Sequence, residues 1–107
     1  MGTGSKRIAA RRPNPTWDPE LRELRVGEVL IKRFRQPARN QVSVLALFQE
    51  LLWPRCIHDP LTGNSEVEPK RRLRDTVFAL NRNHVTANVL AFEADGTGTG
   101  IIWKWCG

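Results

Sequence analysis

Apolar residues recur along this chain with two different periods, and the changes of period divide it into elements. In 40–53, NQVSVLALFQELLW, Val44, Leu47, Phe48 and Leu51 fall at i, i+3, i+4 and i+7, and Leu45 and Leu52 widen the stripe. This predicts the central core helix, capped by Asn40 and stopped by Pro54, which also pushes Trp53 out of helical geometry. A second helical stripe runs through 69–83, PKRRLRDTVFALNRN. Pro69 suits a first turn, and Glu66 and Glu68 suit the positive end of the helix dipole. Leu73, Thr76, Val77 and Leu80 form its predicted buried side. At 100° per residue, Arg71, Asp75, Phe78 and Arg82 lie opposite, with Arg74 flanking them.

Elsewhere the period shortens to two. Val29, Ile31 and Phe34 predict a strand over about 29–34, where the imperfect alternation also fits a helix, ended by Pro37. Strands are predicted at 88–93 and 101–106, joined by a hairpin loop, ADGTGTG, at 94–100. Ile101, Trp103 and Trp105 share one strand face, taken as the inward one, and Ile102, Lys104 and Cys106 share the other. The stretch 17–25, WDPELRELR, reads as one or two helical turns with Asp18 as cap and Pro19 in the first position. Leu21 and Leu24 would then face the domain and Trp17 would lid the core. Residues 54–61, PRCIHDPL, fit one helical turn or an ordered loop, and 62–68 a polar loop. Residues 1–16, with Pro13 and Pro15 and four positive side chains, read as a disordered basic arm, leaving 17–107 as one domain.

Charge gives this frame a direction. The 107 residues carry a formal net charge of +6, and the positive residues cluster on the 69–83 helix. Such clustering favours an acidic partner: nucleic acid, anionic lipid or an acidic protein. A solvated helix face paired with Glu66, Glu68 and Asp75 would explain the same residues without a partner. No apolar run approaches the roughly 20 residues of a membrane helix, and the N-terminal sequence shows no signal peptide. Two widely spaced cysteines, Cys56 and Cys106, suggest a reduced, cytoplasmic setting rather than a disulfide framework.

Candidate chemistry is sparse. Cys56, His58 and Asp59 are of metal-ligand type, with His84 and Cys106 elsewhere, but their spacing is not that of a zinc site. A Cys56–His58 nucleophile pair lacks an orienting third group. Gly96 to Gly100 resembles a phosphate loop in glycine content only, since no Lys-Ser/Thr follows and a strand succeeds it. The tryptophans could stack on bases but read better as core. No acid–base constellation suggests an enzyme, and no metal or cofactor is expected.

The order of strand, long core helix, short helical link, basic helix and hairpin resembles winged helix-turn-helix domains, particularly the effector domains of transcriptional response regulators. The likeness rests on 40–53 as first helix, 54–61 as a reduced second helix, 69–83 as third helix and 88–105 as wing. The DGTGTG hairpin before a tryptophan also looks like an uncharacterised group of small bacterial proteins. The winged-helix resemblance implies an α+β fold that binds double-stranded DNA, with the third helix in the major groove. Lys70, Arg71, Arg74, Asn81 and Arg82 would then contact bases or phosphates, and Lys104 would reach the backbone from the wing. A winged helix that docks on an acidic protein is the alternative, and a homodimer is compatible with either.

Overall fold

The computed structural model describes residues 13–61 and 68–106. It is a small α+β fold with two antiparallel three-stranded sheets and, among the described residues, two helices. The elements run β1 (Pro15–Asp18), β2 (Glu23–Val26), β3 (Val29–Arg33), α1 (Arg39–Glu50), β4 (Cys56–His58), α2 (Pro69–Leu80), β5 (Leu90–Ala94) and β6 (Gly100–Trp105). The first sheet has the order β1-β2-β3, and the second has the order β4-β6-β5.

The stretch expected to open with a short helix is instead the β1–β2 hairpin. Asp18 does cap backbone amides, but those of a turn: its Oδ1 accepts from Glu20 N at 2.9 Å and Leu21 N at 3.0 Å. Arg22 then takes φ 56°, reversing the chain so that Trp17 pairs with Leu24. Pairing of β2 with the neighbouring β3 settles the competition that local propensity left open. Trp17 and Leu24 enter the core, whereas Leu21 stays exposed. Pro15 and Thr16, assigned to the arm from sequence, belong to β1. The arm as far as residue 12, and 62–67 of the loop expected over 62–68, lie outside the described residues.

Helix α1 buries Val44, Leu45 and Phe48 as its stripe predicts, but it runs from Arg39 to Glu50 rather than 40–53. Asn40 is not its cap; Ala38 holds that position and supplies no side-chain hydrogen bond. Leu52 and Trp53 adopt φ 63° and 59° on approach to Pro54. That exit turns Leu51 and Leu52 to solvent and swings Trp53 back onto Phe48, the rings stacked 4.9 Å apart. Phe92 and Trp103 complete this aromatic cluster, which joins α1 to the second sheet. Burying these rings together helps to hold α1 on that sheet.

Residues 54–61 form neither a helical turn nor a plain loop. Their centre is strand β4, which pairs Cys56 with Ile102 and His58 with Gly100. Pro54 and Pro60 disfavour a helix there, and only Ile57 of the three strand residues is buried. Among the described residues, therefore, no helix separates α1 from α2, and no helix-turn-helix is evident.

Polar ties cross between the layers. Gln49 Oε1 accepts from Trp17 N at 2.7 Å and from Trp53 Nε1 at 2.9 Å. Buried Glu23 pairs with Arg25 and Arg33, and the Arg33 hydrogen bond holds its carboxyl below the usual range. No helix among the described residues is long and apolar enough to cross a membrane.

Candidate functional site

Helix α2 has the phase that its sequence predicts: Leu73, Thr76, Val77 and Leu80 are buried. Lys70, Arg71, Arg74, Asp75, Phe78 and Arg82 are exposed. The outer ridge is thus cationic with one carboxylate and one aromatic ring. Arg71 Nε lies 3.9 Å from Asp75 Oδ2, and both side chains are largely in water, so the pair neutralises little. Arg74 has no ion pair among the described residues. The Arg82 guanidinium sits over the Phe78 ring, 5.4 Å from its centre.

The other expected contact residues are arranged differently. Lys70 runs along Gly98, where an added Cβ would come within 2.8 Å of its Cε. This seats the hairpin loop beside the start of α2. The loop is built by Asp95, whose Oδ1 accepts from Thr97 N and Thr97 Oγ1, and Gly96 and Gly98 supply φ 95° and 85°. Lys104 projects from the face of β6 opposite buried Ile101 and Trp103, and its Nζ pairs with Glu93 Oε2 at 3.1 Å. It does not share the α2 ridge, and its charge is matched locally.

Asn81 is engaged in the fold. Its Nδ2 donates to Phe92 O at 2.8 Å, and its Oδ1 accepts from Phe92 N at 2.8 Å. Strand β5 is an edge strand, so this amide closes the free edge as a one-residue substitute for a further strand. Arg72, on the inner flank, donates from Nη2 to Leu61 O.

Sequence reasoning missed Lys32. From β3 its Nζ donates to Ala79 O at 2.6 Å, in the last turn of α2, and to Arg82 O at 2.9 Å, in the turn that follows. Burial, and then the nearby charge of Arg82, lowers its pKa to about 8. A groove of about 740 Å³ runs alongside, lined in part by Lys32, Arg33, Arg35 and Arg82. Local patterning gave no signal for this extension of the basic surface, because its residues converge from β3, the following turn and the end of α2.

Comparison with protein-family models, with curated proteins and with solved structures returned no match. The arrangement must therefore be read from its own chemistry. Among the described residues, no three His, Cys, Asp or Glu side chains are grouped to hold a metal ion. Cys56 Sγ does approach Asp95 Oδ2 at 3.8 Å; burial and that carboxylate push its thiol pKa up, the direction opposite to activation. What the ridge offers is dense, exposed positive charge on a rigid helix.

Proposed function

We propose that this protein binds double-stranded DNA, chiefly through its phosphates, as a winged-helix-type module. In this reading α2 serves as recognition helix and the β5–β6 hairpin as wing, with strand β4 standing where a second helix would be expected. The observation that carries the reading is the exposed pair Arg71 and Arg74 on α2 with exposed Arg82 just beyond its end, and Lys70 beside the hairpin loop. Guanidinium groups suit phosphate oxygens and guanine edges, and a helix held by its buried face can present them without rearrangement.

Fluorescence anisotropy with a labelled mixed-sequence duplex tests this. With about four phosphates neutralised, log K should fall with log salt at a slope of about −3.6. Arg71→Glu with Arg74→Glu should abolish binding and leave the circular dichroism melt unchanged. Absence of binding at low salt, or binding that survives the double charge reversal, would refute the reading.

A second reading, docking on an acidic protein, is favoured by Phe78. An aromatic ring that is 63% exposed amid arginines suits a protein contact better than a phosphate backbone. Phe78→Ala separates the two: duplex affinity should change little if the contacts are with phosphates.

A further inference from the structure

Past its last turn, α2 meets β3 and the turn that follows β3, and the groove of about 740 Å³ opens between them. Lys32, Arg33, Arg35 and Arg82 line it, and no aspartate or glutamate does among the described residues. Arg33 is already engaged, because its guanidinium holds Glu23. Arg35 and Arg82 are exposed and have no ion pair among the described residues. Burial first, and then the charge of Arg82, depresses the pKa of Lys32, so these two cations lie within each other's field. The fold thus gathers positive charge along a groove with no carboxylate on its walls to offset it, an arrangement that an anion would relieve.

The end of a helix is ordinarily a poor place for an anion, since its last carbonyls carry partial negative charge. Lys32 changes that. Its side chain is buried, and its Nζ donates to the carbonyls of Ala79 and Arg82, which lays an ammonium over the negative end of α2. Lys32 is therefore a source of field rather than a contact residue, its bonds being made within the fold. The free guanidinium groups beside it are those of Arg35 and Arg82. Arg82 also lies over the Phe78 ring on the outer side of α2, so groove and ridge form one continuous cationic surface. Continuity of this kind suits a chain of phosphates better than a single one.

We propose that the groove between α2 and β3 takes the phosphodiester strand of bound DNA that runs past the end of α2, with Arg35 and Arg82 as its contacts. The proposal rests on the DNA reading, and it extends the contact surface from one helix to the N-terminal sheet.

The test is anisotropy of the labelled mixed-sequence duplex across a salt series, for the parent protein, Arg35→Gln, Arg35→Lys and Arg22→Gln. Loss of one phosphate contact in Arg35→Gln should make the slope of log K against log salt shallower by about 0.9 and weaken binding about fivefold at about 0.15 M salt. Arg35→Lys keeps the charge and should restore most of both. Arg22→Gln removes the same charge from an exposed side chain outside the groove and should keep the parent slope. All three positions are exposed, so the fold should be retained. If the parent binds and Arg35→Gln keeps its slope, or if Arg22→Gln flattens the slope equally, the groove proposal is overturned while the reading of α2 stands. If the parent fails to bind even at low salt, both are overturned.

Discussion

The inner and outer sides of α2 use the same kinds of residue for opposite ends. On the inner side and at the helix end polar side chains reach into the fold: Arg72 Nη2 to Leu61, Thr76 to the Arg72 carbonyl, Asn81 to Phe92, with Arg72 Nε buried and unpaired. On the outer side Arg71 and Arg74 reach into water with one weak pairing between them and Asp75. Residue type therefore says little about role on this helix; angular position and what lies across from it decide. An arginine facing a bare carbonyl is a strut, and the same arginine turned by a third of a turn is free to meet a ligand.

The sharpest way to probe that contrast is to truncate the helix's two large apolar side chains on opposite sides. Leu73 is fully enclosed, so Leu73→Ala should destabilise by about 2–5 kcal/mol in urea unfolding, from lost burial plus the cavity left behind. Phe78→Ala removes a larger side chain, yet it should change stability by less than about 0.5 kcal/mol. Equal losses from the two would mean that the outer side is packed against something.

Asn81→Ala comes next. It leaves the Phe92 N–H and C=O unpaired at the edge of β5 and should cost about 1–3 kcal/mol. A substitution that left stability unchanged but weakened duplex binding would move Asn81 back among the contact residues.

The smallest effect is one of pH. The Lys32 ammonium is held at about 8, against 10.5 when free. The unfolded chain therefore keeps that proton more tightly, and between those values unfolding takes up a proton. Stability should rise as pH climbs from about 8 to 10.5, by roughly 1–2 kcal/mol once solvent screening is allowed for. Lys32→Met should lose that rise as well as the cap, which melting curves across the interval would reveal.

The sequence made some of this legible and hid the rest for definite reasons. Periodicity gave the two helices, β3 and the β5–β6 hairpin, because each carries its own stripe or alternation. It also gave the outward phase of Arg71, Arg74 and Phe78, which follows from Leu73, Val77 and Leu80 alone. It misjudged 17–25, because an aspartate followed by proline starts a turn as readily as a helix and the pairing of β2 with β1 and β3 decides. Strand β4 escaped notice because three residues between prolines carry no period, and their partner β6 lies more than forty positions away. Of the expected contact residues, the ridge arginines were readable from one helix. Asn81, Lys104 and Lys32 take their roles from Phe92, Glu93 and the end of α2, partners that no local window contains.

The reach of Lys32 also bears on how the molecule can be divided. Its ammonium ends a helix whose Ala79 carbonyl lies 47 positions further along, and Val85 N adds a hydrogen bond to Ile31 O beside it. A fragment that began after β3 would keep α2 and the hairpin whole in sequence, but it would leave the helix's last carbonyls bare and Phe34 without its ring partner Trp17. The N-terminal sheet is thus no detachable appendage. Trimming the chain to its basic helix and hairpin would remove part of the scaffold that keeps that helix straight to its end.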